Sequence, residues 1–226
     1  AGQDTLARFN SDSTADPPFV FESTHTLNVG TSGTKTLMAN SGDMTNQGTI
    51  NVADNAILHI NPSNSFVNTA TGSITSSGTS EIVFNFESTD IFDQNGVLDI
   101  TESSKLTLGS GTLRDNETDF SGTSAITPTL IGAPTSTINA VSAMTLDSVS
   151  LDPATTLGLL QGQIFTIVNN LHNPGTVNFL HPSSVGTITL RFQDDATLTG
   201  GGTLNMTEAG QDTLARFNSD STADPP

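Results

Sequence analysis

"NQGTINVADNAILHI" (46–60), "ATGSITSSGTSEIVF" (70–84) and "QNGVLDITESSKLTL" (94–108) are three renderings of one pattern. Their glycines, Gly48, Gly72 and Gly96, stand 24 residues apart. Beyond the glycine, apolar residues take alternate positions: Ile50 and Val52, then Leu98 and Ile100. A second apolar pair follows, as in Leu106 and Leu108. Successive side chains of a strand point to opposite faces, so this alternation predicts short strands with one apolar face. Each run is about 3–5 residues long and is bounded by Gly, Asn, Ser, Asp or Pro, the residues of turns.

The rhythm extends more loosely along the chain. "FSGTSAIT" places Gly122 at a spacing of 26; "NPGTVNF" and "GGGTLNM" place Gly175 and Gly202 27 apart. Val177/Phe179, Ile188/Leu190 and Leu204/Met206 repeat the alternation and join the predicted core. No apolar run keeps helical spacing over about twelve residues. Even "TTLGLLQGQIFTIVNNL" (155–171), the most apolar stretch, reads as strands because of its β-branched residues, Gly158 and Gly162.

One coil of this kind cannot bury its own apolar face, but stacked coils can. The expected fold is all-β, a parallel β-solenoid with coils of about 24 residues. At ~4.8 Å between stacked strands, some eight or nine coils span about 40 Å. A β-sandwich is the alternative, though it needs no fixed glycine rhythm.

A longer period is written at the ends. "AGQDTLARFNSDSTADPP" occupies 1–18 and again 209–226, a period of 209 − 1 = 208 residues. Residues 1–208 therefore read as one tandem-repeat unit and 209–226 as the start of the next; a cloned overlap is the bland alternative. The second "DTLARF" (212–217) is expected to form a strand with Leu214 and Phe217 facing in, and nothing in it resembles a cap. Solenoid ends expose strand edges, so the unit is expected to continue end to end into identical units.

Composition narrows function. Six basic residues stand against 23 acidic ones, for a net charge of −17. No basic patch exists to neutralise phosphates, and an anionic membrane would repel the chain. No apolar stretch approaches the ~20 residues of a membrane helix. There is no Cys, Trp or Tyr, which removes disulfides, thiolate sites and the usual aromatic sugar platforms.

Candidate sites are sparse. Asp194 and Asp195 are the best pair for acid–base hydrolysis of a polysaccharide, but they lack the further Asp, His and basic motifs of such enzymes and read as a solvated turn before "ATLTG". His25, His59, His172 and His181 lack paired metal spacing. Acidic turns bearing Asp90, Asp93, Asp115 and Asp119 could hold Ca²⁺ through oxygen ligands; no other cofactor is expected. "TGGGT" (199–203) lacks the Lys-Ser/Thr of a phosphate loop and reads as a tight corner. "NET" (116–118) and "NMT" (205–207) match the N-glycosylation pattern.

"MTNQGTINVADNAILHI", "NTATGSITSSGTSEIVF", "GSGTLRD", "MTLDSVSLDPATTLGLLQGQIFTIVNNLHNPGTVNFL" and "DDATLTGGGTLNM" follow one another in that order. In this, residues 44–208 resemble the long repeats of giant secreted bacterial adhesin-like proteins of the haemagglutinin and autotransporter-passenger type. The resemblance implies a β-helical stalk at the cell surface or outside the cell, a fibre or adhesin with a surface or glycan target. The first expectation is thus a structural unit, not an enzyme. A β-helical polysaccharide-degrading enzyme and a carbohydrate-binding module are the rivals.

Overall fold

Alternation in sequence becomes alternation in burial. In Glu81–Phe84, Ile82 and Phe84 are fully buried while Glu81 and Val83 are not. A computed structural model describes residues 4–8, 18–30, 33–39, 42–115, 130–183, 186–206 and 210–217. Gly122, Asp119 and the whole "NET" sequon, with the last residue of "NMT", lie outside the described residues.

The strands run in chain order around three faces. The first three turns hold β1 (Asp4–Arg8), β2 (Phe19–Phe21), β3 (Thr26–Val29), β4 (Thr34–Ala39), β5 (Met44–Asn46), β6 (Thr49–Val52), β7 (Ile57–Asn61), β8 (Ser65–Asn68) and β9 (Ser73–Ser76). The middle holds β10 (Glu81–Phe84), β11 (Ile91–Gln94), β12 (Val97–Ile100), β13 (Lys105–Leu108), β14 (Gly111–Arg114), β15 (Ile131–Gly132), β16 (Thr137–Ala140) and β17 (Met144–Ser150). The last part holds β18 (Thr156–Leu160), β19 (Ile164–His172), β20 (Thr176–Leu180), β21 (Thr187–Gln193), β22 (Thr197–Thr199), β23 (Thr203–Asn205) and β24 (Gln211–Phe217).

Each strand pairs in parallel with its equivalents one turn away. The first face is β1-β4-β7-β10-β13-β16-β18-β20-β23, and the second is β2-β5-β8-β11-β14-β17-β19-β21-β24. The third face is β3-β6-β9-β12-β15. The chain is therefore a β-solenoid. A sandwich would need antiparallel, hairpin-linked sheets.

The third face changes character in the later turns. β17 and β19 bend at Ser148 and Asn169, both at positive φ (57° and 58°), and their pairing shifts register there. Beyond the bend Val149, Leu171 and Leu198 of β22 fall into one column, so β22 carries this face onward.

Inside, columns of like residues run along the axis. Leu58, Ile82, Leu106, Ile138, Leu157 and Val177 form one on the first face. Phe66, Phe84 and Phe92 form an aromatic knot, with ring centroids 4.4–5.6 Å apart. Of the predicted core, Ile50, Val52, Leu98, Ile100, Leu106, Leu108, Val177, Phe179, Ile188 and Leu190 are buried. Leu204 and Met206 pack against the core but are only partly buried, because they lie in the last described turn of the first face.

The repeat glycines divide into two series. Gly48, Gly72 and Gly96 precede third-face strands, whereas Gly175 and Gly202 precede the first-face strands β20 and β23. Both series serve the same need for space at a corner. A Cβ on Gly48 would stand 2.5 Å from the His25 carbonyl oxygen, and one on Gly96 would meet the carbonyls of Thr69 and Gly72.

One buried corner is polar. Asn46 Nδ2 donates to Asn68 Oδ1 (2.8 Å), and Asn68 Nδ2 donates to Gln94 Oε1 (3.1 Å) and to the Val97 carbonyl (3.0 Å). This ladder satisfies side-chain and main-chain groups that would otherwise be stranded away from water.

Candidate functional site

The repeated segment supplies the outermost described strand at both ends. At one end β1 lies on β4, pairing Asp4 with Lys35 and Leu6 with Leu37. At the other β24 lies on β21, pairing Asp212 with Ile188, Leu214 with Leu190 and Arg216 with Phe192. The same residues thus sit on the first face at one end and on the second face at the other.

Inward positions of the segment alternate charge and leucine. Asp4 Oδ2 lies 2.6 Å from Lys35 Nζ, over the column headed by Leu58. Asp212 Oδ1 lies 2.8 Å from His181 Nε2, both side chains being almost wholly buried. Gly210 allows this approach, since a Cβ there would enter the His181 ring. Arg216 reaches the Asp194 carbonyl and the Asp195 carboxylate (both 3.1 Å). Between the charges the leucines remain half uncovered: Leu6 is 45% and Leu214 49% exposed, while Leu37 and Leu190 beneath them are 3% and 0%.

Leu214 faces in as expected, but Phe217 does not. The inward positions of β21 are Ile188, Leu190 and Phe192, so Phe217, paired with Gln193, falls on the opposite side. There the Arg191 guanidinium lies 4.7 Å from its ring centroid.

A lateral cleft of about 670 Å³ opens at the bend after the second face. Ser148, Asn169, Asn170, Asp194, Asp195 and Thr197 contribute to its wall. Ser148, Asn169 and Asp194 occupy left-handed positions on three successive turns, which widens the corner. Asn170 Oδ1 accepts from Thr197 Oγ1 (2.8 Å), while its buried Nδ2 meets no partner among the described residues.

Asp194 and Asp195 form the turn before β22, with Asp195 ion-paired to Arg216. "TGGGT" is a tight corner, with Gly200 and Gly201 at φ 96° and 71°. Of the described calcium candidates, Asp90 accepts the Glu87 amide, and Asp93 holds Arg114 through two bonds of 2.6 and 2.9 Å. Asp115 is buried, its amide bonded to the Asp147 carbonyl. Among the described residues no three His, Asp or Glu side chains gather as a metal site. His25 lies 3.5 Å from Thr24 Oγ1, His59 faces outward beside Asn85, and His172 meets Thr199, each separate from the others. Among the described residues no helix is long and apolar enough to cross a membrane.

Asp54, Asp99 and Arg114 depart from their ordinary values. The Thr79 amide, and then its hydroxyl, hold Asp54 below the usual carboxylate range. Burial, aided by the Asp152 charge, pushes Asp99 up. The Asp93 hydrogen bonds hold the Arg114 guanidinium further toward its charged form.

No protein-family model, curated protein or solved structure matches this chain.

Sequence reasoning missed the ionic ends, the Asn ladder and the cleft. The signal for the first was present: in "DTLAR" charge occupies the phase of the strand that Leu shares. The ladder was foreshadowed by "NQG" and "QNG", where an amide side chain stands two residues before a corner glycine.

Proposed function

We propose that this chain is a structural unit of an extracellular bacterial fibre or adhesin stalk, stacking end to end with identical units. The observation that carries the reading is the pair Leu6 and Leu214. Both lie in register on the core, at opposite ends, and each is covered on one side only. Another coil laid on either end would bury the open half, at about 25 cal/mol per Å² of apolar surface. The extracellular placement follows from the resemblance to secreted adhesin repeats. Light scattering on the eluted protein tests the stacking. Oligomers that grow with concentration and collapse in Leu6→Asp and Leu214→Asp support it; a monomer at every concentration removes it.

The lateral cleft favours a second reading, a groove for a neutral saccharide. Its wall offers Asp, Asn, Ser and Thr side chains, and Asn170 Nδ2 is a buried donor that a sugar oxygen would satisfy. Binding on a glycan array that Asn170→Asp abolishes supports this reading; no binding across neutral glycans counts against it.

A further inference from the structure

We propose that the repeated segment is a shared strand: the copy that ends one unit as β24 also serves the next unit as β1, so that consecutive units are turned by one face. This rests on the stacking reading above and specifies its geometry.

The argument begins from the two edges of a strand. β24 pairs with β21 through one edge, and the identical residues of β1 pair with β4. Both partners take the Asp and the Leu of the segment at inward positions, in the same parallel sense. In an array with a 208-residue period, one copy of the segment stands at each junction. That copy has β21 of the unit before it and β4 of the unit after it. Using both edges gives the stacks Ile188–Asp212–Lys35, Leu190–Leu214–Leu37 and Phe192–Arg216–Ala39.

The side chains suit this double role. At one end the aspartate engages His181 through Oδ1, and at the other it engages Lys35 through Oδ2. A single carboxylate has one oxygen for each. The leucine, half open at either end, is closed from both sides. A charge pair placed in an apolar column fixes register at some cost in stability, because a slipped alignment strands it unpaired.

The topology then continues without a gap. β4 belongs to the first face and β21 to the second, so the following unit lies one face further round. Its Phe19–Phe21 strand falls on β22, its Thr26–Val29 strand on β23 and its Thr34–Ala39 strand on the shared strand. Each face receives one strand per turn. From β1 to β23 the first face takes eight steps, and β24 lies one face beyond. One unit is therefore eight and a third turns, and three units restore the starting orientation. Stacking like face on like face would set β24 on β2 and β23 on β1, which needs two copies of the segment at each junction.

Separate chains can make the same joint. The incoming β24 forms with β4 the contacts that β1 formed, since the residues are identical, so the exchange loses little and additionally covers Leu214.

Cysteine pairs on the full chain, which has no Cys of its own, test the joint. Thr36 pairs with Thr5, the counterpart of Thr213, so Thr36→Cys/Thr213→Cys reports the shared strand. Val20→Cys/Phe217→Cys reports like-on-like stacking of β24 on β2, because the second-face column from Phe19 through Met44, Phe66 and Phe92 to Phe192 and Arg216 sets Val20 over Phe217. All four positions are on outward sides of their strands, and each single Cys variant checks folding by circular dichroism. A ladder of disulfide-linked oligomers from the Thr36 pair, with little from the Val20 pair, is the expected result. A ladder from the Val20 pair, or assembly without the Thr36 cross-link, overturns the shared strand and leaves stacking in place. A monomeric Cys-free chain at every concentration removes stacking itself.

Discussion

Leu6 and Leu214 are the same leucine of the same repeated segment, yet Leu6 lies on Leu37 of the first face and Leu214 on Leu190 of the second. What they share is a position over the core that is closed from one side. The local sequence dictates the inward alternation of the strand, and the neighbouring coil dictates which face it joins.

The aromatic knot should dominate stability near the first turns. Phe92 is fully buried and touches both Phe66 and Phe84. Phe92→Ala is expected to cost about 3–5 kcal/mol, the range for emptying a buried aromatic site. Urea unfolding followed by circular dichroism measures it.

The polar ladder predicts a different sensitivity. Asn68→Leu leaves the Asn46 donor short of its best partner and strands Gln94 Oε1 and the Val97 carbonyl. Each unsatisfied buried group costs roughly 1–3 kcal/mol. An apolar replacement is thus expected to destabilise the chain, a result that hydrophobicity alone would reverse. The urea midpoint decides the sign.

Two glycines separate space from conformation. Gly96→Ala drives a Cβ into the carbonyls of Thr69 and Gly72, and is expected to cost about 1–3 kcal/mol through overpacking. Gly30 has open space around its missing Cβ and no positive φ. Gly30→Ala should therefore lie within about 0.5 kcal/mol of the parent, as surface changes do. Paired thermal melts compare them.

Asp54 and Asp99 should titrate in opposite directions. Asp54, held down by Thr79, contributes stability that is present above the unfolded carboxylate value and is lost as pH falls through its lower folded value. Asp99, pushed up by burial, has the opposite sign: its contribution is fully present below the unfolded value and is lost as pH rises through the folded one. Carboxyl NMR titration should place Asp54 below and Asp99 above a reference peptide.

Much of this architecture was legible because a parallel solenoid repeats its environment every turn. Ile50, Leu98 and Leu106 meet the same interior, so period-two alternation and the spacing of Gly48, Gly72 and Gly96 carried the fold. The assignment of faces was not legible. Gly175 and Gly96 follow similar patterns, but nothing local says which corner each serves, because both corners demand only the absence of a Cβ. Phe217 was misplaced because its size suggested the core, whereas register with Gln193 decided its side. The ends were harder still: Asp212 becomes a buried partner only because His181, 31 residues earlier, arrives beside it.

The central claim is that the unit works by stacking along its axis. Negative-stain imaging of the full chain at increasing concentration tests it most directly. Eight and a third turns at ~4.8 Å each predict unbranched filaments with an axial repeat near 40 Å per unit. Isolated particles of single-unit length at every concentration would contradict it.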